Sequence, residues 1–202
     1  MPQPAAQPMT ANQRARRSRV IAAALKLASE GGYDAVQMRD VAVTADVALG
    51  TIYRYFPSKD MLLTSVMADW AGQLRERLGQ NPPHGTTPAT RVADVLQRAC
   101  RSLEREPLLA AALVRALSSS EARDGGPISE VGLHIRAMIE PQLDDLDAEI
   151  REDIITVIGH VWLSTLIGWL NGRIQFSQVA QQLGMAAHLL LDDDYRRRAD
   201  PT

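Results

Sequence analysis

One cysteine stands in 202 residues, which rules out any internal disulfide framework. The chain therefore suits a reducing cytosol, and Cys100 is expected to be a small buried hydrophobe. Runs of alternating β-branched residues are also missing, so a sheet has no candidate strands. The four histidines, His84, His134, His160 and His188, share no metal-ligand spacing. No glycine-rich phosphate loop and no nucleophile motif is present. The carboxylates at Asp144, Asp145 and Asp147, and those at 192–194, read as solvated helix ends rather than a catalytic pair. These gaps argue against an enzyme, a metal centre and a resident cofactor.

Residues 1–12 (MPQPAAQPMTAN) lack the basic start and apolar run of a secretory signal. Rich in proline, glutamine and alanine, they are expected to form a disordered arm. Residues 154–170 are nearly free of charge, but Thr156, His160, Ser164 and Thr165 interrupt them, and they fall short of the ~20 apolar residues of a membrane span. A buried helix of a cytoplasmic protein, with no membrane partner, is the expectation.

Net charge is only −2, yet it is unevenly spread. Residues 1–59 carry eight basic side chains against four acidic ones, which leaves −6 for the remainder. Such a chain would grip phosphates with one end rather than along its whole surface.

Apolar periodicity and breakers predict an all-α fold of nine helices. The first runs over about 12–30, stopped by Gly31-Gly32, and two short ones follow at 38–45 and 48–55. A fourth, capped by Ser58, extends to about 78 before the breaker cluster 81–88. Five more fall at roughly 88–105, 107–119, 127–145, 148–172 and 176–191. Pro107 and Pro127 suit helix starts, whereas Pro141 should kink or end its helix. The domains are then a helix-turn-helix at 13–57, a ligand-binding and dimerisation domain at 58–192, and a tail at 193–202.

The segment 36–59, VQMRDVAVTADVALGTIYRYFPSK, carries the most information. Met38, Val41, Ala42 and Ala45 give one apolar face, Val47 plugs the turn, and Ile52 and Phe56 close a core. Small Ala42 and Gly50 would let the two short helices cross closely, the geometry of a helix-turn-helix. The outward side of the second helix then offers Leu49, Thr51, Tyr53, Arg54 and Tyr55 for phosphate and base-edge contacts. Spacing alone fits Tyr53 and Tyr55 to packing equally well.

From residue 17 to residue 63 the sequence resembles the TetR family of bacterial repressors. The resemblance rests on Gly50-Thr51-Ile52-Tyr53-Arg54-Tyr55-Phe56-Pro57-Ser58-Lys59, with Gly31-Gly32-Tyr33 and Arg39-Asp40-Val41-Ala42 upstream. It implies a dimeric repressor on double-stranded operator DNA, with Thr51, Tyr53, Tyr55 and Lys59 at phosphates or base edges. Arg39 would read a base, and Arg14 and Arg17 would reach DNA from the N-terminal arm. Ala48, Leu49 and Gln37 depart from the family's usual capping residues, at about 1 kcal/mol for each missing cap. Leu49 would meet a thymine methyl instead.

In the larger domain, Gly159, Ser164 and Gly168 are small residues that would let a partner helix approach. With Val179, Leu183 and Ala187 they are the expected faces of a four-helix dimer interface, with an ordinary monomer core as the alternative. Met67, Trp70, Leu74, Cys100, Leu103, Leu113, Leu117, Met138 and Trp162 are the candidate lining of an apolar effector pocket, although each alone also fits a core. A narrower resemblance rests on Pro107-Leu108-Leu109, on Val161-Trp162-Leu163-Ser164 and on Trp169-Leu170, beside the N-terminal motifs. It points to the branch of the family that controls steroid catabolism and implies a steroid CoA thioester as the hydrophobic effector. A drug or a fatty acyl-CoA is the competing effector, and an adaptor without ligand is the third reading.

Overall fold

The computed structural model describes residues 9–119 and 127–192. The expected tail and most of the expected arm lie outside them. Nine α-helices and no strand make up the architecture among the described residues. Helix α1 (Ala11–Ala35) opens on a capping box: the Thr10 hydroxyl accepts from the Gln13 N–H, and the Gln13 side chain accepts from the Thr10 N–H. Helix thus begins inside the stretch expected to be disordered.

The glycine pair does not end α1 outright. Gly32 takes φ 69 and ψ −162, which breaks the regular spiral, and one further turn carries the chain to Ala35. Only glycine adopts that conformation without strain. The break also brings the backbone of Gly32 within 3.9 Å of Leu108, measured from where a Cβ would sit.

Helices α2 (Met38–Ala45) and α3 (Leu49–Tyr55) are short, and neither has a side-chain cap, as expected. Helix α4 (Lys59–Gln80) starts where the Ser58 hydroxyl accepts the Met61 N–H. Proline occupies the first turn of α5 (Pro88–Glu104) and α6 (Pro107–Leu117), where its missing N–H is not needed. Helix α7 (Pro127–Ile139) stops short of the expected 145, because Pro141 diverts the chain into a 3₁₀ turn at Glu140–Gln142. Helices α8 (Ala148–Leu170) and α9 (Phe176–Leu191) complete the order. Helix α8 is long and apolar enough to cross a membrane by length and composition. Here Ile154, Ile158, Trp162 and Leu166 are buried inside the protein, the pattern of a core helix.

Two hydrophobic clusters hold the chain. One joins α1, α2, α3 and the start of α4 with Leu109, Ala112, Leu113 and Ala116 of α6 and Val131 of α7. The other unites α5, α8 and α9 with the distal ends of α4 and α7 and with Ala110 and Val114 of α6. Packing therefore has no seam at 57/58. The small N-terminal head and α6 share one core, so a displacement of α6 is felt in the head.

Candidate nucleic-acid interface and effector pocket

The turn between α2 and α3 depends on Asp46, which adopts the left-handed conformation (φ 52, ψ 57) and sends its N–H back to the carbonyls of Ala42 and Val43. Arg19, far away on α1, reaches across to the same place. Its Nε donates to the Ala45 carbonyl at 3.1 Å and a terminal nitrogen to that of Asp46 at 3.5 Å. A cation thereby meets carbonyls that have no partner within their own helix. A cap supplied by another helix leaves no local pattern, so nothing in the sequence around Arg19 marks this role.

Burial of Ile52 and Phe56, at 0% and 2% exposure, fixes the orientation of α3. Gly50, Tyr53 and Arg54 then face outward, Arg39 on α2 is likewise exposed, and Leu49 and Thr51 are half-buried. Val43 on α2 is 82% exposed, an outward apolar side chain that the sequence pattern did not single out. Gly50 needs correction in one respect: a Cβ there would meet nothing within 4 Å. Close crossing of α2 and α3 therefore rests on buried Ala42 and not on Gly50.

The two tyrosines separate. Tyr53 is exposed, whereas Tyr55 packs against the head's core and its hydroxyl is enclosed, with no hydrogen-bond partner among the described residues. Packing is the role that the geometry gives Tyr55. Lys59 is also engaged within the protein rather than offered to phosphate. Its Nζ donates to the Tyr33 carbonyl at 3.2 Å and stands 3.9 Å from the centre of the Tyr33 ring. The start of α1 presents exposed Arg14, which donates to the Met9 carbonyl at 3.1 Å. Arg17 is half-buried, with its guanidinium 5.6 Å from the Phe56 ring centre.

Tyr33 ties the head to α6. Its hydroxyl donates to Asp60 at 2.6 Å, and burial, reinforced by that hydrogen bond, pushes the phenol up to about 12. The Arg115 guanidinium of α6 lies 4.0 Å from the same ring centre, and 3.6 Å from Asp34. A third tie joins Ser29 to Glu106 at 2.7 Å, where α6 begins.

A largely apolar pocket of about 320 Å³ opens between α7 and α8, with Met67 of α4 and Leu117 of α6 in its wall. Trp162 lines it too, so three of the nine expected residues meet there. Ile135, Ile155 and Leu163 add apolar surface, and Thr156 and His160 supply polar atoms. The other six expected residues are placed elsewhere. Leu74, Cys100, Leu103 and Met138 lie in the cluster around α5, and Leu113 lies in the head's core. Half-buried Trp70 donates from its indole N–H to Ser102 at 3.2 Å. Cys100 is the buried hydrophobe expected, its thiol pushed up to about 12 mainly by burial.

The expected dimer residues also divide. Val179, Leu183 and Ala187 are fully buried, on a helix that packs chiefly against α5 of the same chain. Gly168 is backed by Ile174, 3.5 Å from where its Cβ would sit. Gly159 lines the α7–α8 pocket. Of the six, only Ser164 is exposed. The outer faces of α8 and α9 instead show Val157, Leu163, Met185 and Leu189. One amphipathic period serves an internal partner and a symmetry mate equally, so spacing could not tell the two apart.

Residues 20–66 match the family model for bacterial regulatory proteins of the tetR family, and residues 85–190 match that for the tetracyclin repressor-like C-terminal domain. The chain belongs to the TetR family, as a helix-turn-helix DNA-binding regulator and not an enzyme. Within that family it resembles KstR. The HTH-type transcriptional repressor KstR of Rhodococcus jostii is 42% identical over 186 residues, covering 92% of this chain and 87% of the relative. KstR of Mycobacterium tuberculosis is 38% identical over 184 residues, covering 90% and 83%. The crystal structure of a TetR transcriptional regulator from Rhodococcus sp. RHA1 superposes with a TM-score of 0.80 at 31% identity, over 90% of this chain and 98% of that one. FadR of Thermus thermophilus, solved with lauroyl-CoA, shares the fold with a TM-score of 0.68 at 19% identity, over 86% and 92%.

Proposed function

We propose that this chain is a ligand-released repressor of steroid-catabolic genes. It binds a palindromic operator in the cytoplasm as a homodimer and leaves it when a steroid CoA thioester enters the α7–α8 pocket. The likeness to KstR carries this reading, because at 92% of the chain it runs through α5–α9, which hold most of the pocket. In that role Gly50, Thr51, Tyr53 and Arg54 meet the major groove with Arg39, Leu49 touches a thymine methyl, and Arg14 and Arg17 hold flanking phosphates.

Dimerisation uses the outer faces of α8 and α9, around Ser164, Val157, Met185 and Leu189. No Asp, Glu, Lys or Arg stands in Phe176–Leu191, a composition suited to a face that is covered. Release follows from α6, whose Leu117 touches the pocket and whose Arg115 rests on Tyr33 of the head. Ligand that displaces the end of α6 changes the spacing of the two heads, and so favours the state that does not fit the operator. A fatty acyl-CoA competes for the same apolar lining.

Footprinting on DNA upstream of steroid-catabolic genes tests this. Two protected half-sites about one helical turn or a multiple of it apart, lost on adding the thioester, are expected. A single protected half-site, or protection that the thioester leaves intact, contradicts the reading.

A further inference from the structure

Helices α4 and α5 frame a second groove, of about 210 Å³, at the end of α4 away from the reading head. Arg77, Arg98, Arg101 and Arg105 line it with Ser102, over a floor that includes Leu74, and no carboxylate is in its wall. Arg98 is fixed in place: it donates to the carbonyls of Asn81 at 2.6 Å and Pro82 at 3.2 Å, and pairs with Asp94 at 2.6 Å. Its neighbours are not used in that way. Arg101 reaches Asp94 only at 3.9 Å, and no side-chain hydrogen bond or ion pair holds the Arg77 or Arg105 guanidinium among the described residues.

Four guanidinium groups in one concavity repel each other, and the residues from 60 onward are acidic overall, so a generally basic surface does not account for them. DNA does not account for them either. Arg77 lies 18 residues along α4 from Lys59, about 27 Å at helical rise, away from α3. Planar guanidinium forks match phosphate oxygens in pairs.

We infer that this groove is a binding site for a phosphoanion, and that it takes the phosphate groups of the effector's CoA carrier. Only the second clause rests on the proposed function. Met67 in the pocket and Leu74 in the groove are seven residues apart on one face of α4, about 10 Å along the axis, a separation that a pantetheine arm can cross. The carrier then anchors at the arginines, while the steroid rings act on α6.

The test is calorimetric titration of the full chain with free CoA and with inorganic pyrophosphate, compared between wild type and an Arg77→Gln/Arg101→Gln double variant. Both substituted side chains are exposed, and melting temperature and ligand-free operator affinity are expected to stay as in wild type. The expected result is binding of CoA by wild type that falls at least tenfold in the double variant, without release of operator by CoA alone. Equal binding by both proteins, or no binding by wild type, overturns the site. A loss of operator affinity in the double variant with a shallower salt dependence also overturns it, by assigning these arginines to DNA. If CoA binding depends on the arginines while the steroid thioester fails to release operator, the phosphoanion site stands and the steroid effector falls.

Discussion

The Arg115 guanidinium carbon lies 4.0 Å from the centre of the Tyr33 ring, and the same ring holds the Lys59 ammonium at 3.9 Å. Arg115 belongs to α6 and Lys59 begins α4, directly after the reading helix. One aromatic side chain therefore joins α6, whose Leu117 borders the apolar pocket, to the N-terminal head.

Arg115→Ala removes that joint from the α6 side. A cation–aromatic contact at a partly exposed site contributes about 0.5–1 kcal/mol, so the melting temperature should fall only slightly. Ligand-free operator affinity should stay near wild type, while half-release needs roughly two- to fivefold more effector, a coupling loss no larger than the contact itself. Unchanged effector sensitivity in an anisotropy titration would place the coupling elsewhere.

Arg54 and Lys59 should behave oppositely. Arg54 is exposed on α3, and Arg54→Gln is expected to reduce the slope of log affinity against log salt by about 0.9, as for one lost phosphate contact. Lys59→Gln should instead lower thermal stability through its lost contacts with Tyr33 and leave the slope unchanged. The two salt titrations decide between a phosphate ligand and a structural cation at position 59.

Gly159 lines the pocket, and a Cβ there would meet nothing within 4 Å. Gly159→Leu should fit the folded chain, fill the pocket and weaken effector binding at least tenfold. Dimer mass by light scattering and operator affinity should be retained. Dissociation into monomers would instead return Gly159 to the dimer interface.

Alkaline pH should lower the stability of the chain over two overlapping ranges. The folded protein raises the Cys100 thiol from 9.0 and the Tyr33 phenol from 10.0, each to about 12. The unfolded chain therefore loses those protons first, and stability that is fully present below pH 9.0 is lost as pH rises towards 12. Melting temperature against pH should show this decline, with Cys100→Ala flattening its onset and Tyr33→Phe its later part. Native Cys100 should also resist thiol reagents until the protein unfolds, and ready modification at neutral pH would contradict its burial.

Much of this molecule is legible in its sequence because breakers and caps act locally. Ser58, Pro88, Pro107 and Pro141 set helix limits that the fold respects, and the stretch from Gly50 to Phe56 puts the reading helix in the right place. What sequence missed lies between elements. Nothing near Arg19 in the chain says that it caps α2, and nothing near Lys59 says that Tyr33 will hold it. Apolar periodicity picks out inward-facing residues of α4 and α5, but on α9 it assigns Val179, Leu183 and Ala187 to a partner chain when they pack in the chain's own core. It could not separate Met67, which borders a cavity, from Leu103 or Val179, which are packed in a core. Cavity, core and dimer interface demand the same residue types.

Equilibrium anisotropy of a labelled operator fragment, titrated in parallel with a cholesterol-derived CoA thioester, free CoA and a fatty acyl-CoA, reads operator release itself. Release by the steroid thioester, at concentrations where free CoA and the fatty acyl-CoA leave the complex intact, is the expected result. An operator complex that the fatty acyl-CoA dissolves and the steroid thioester does not would contradict the steroid assignment and give the pocket to an acyl chain.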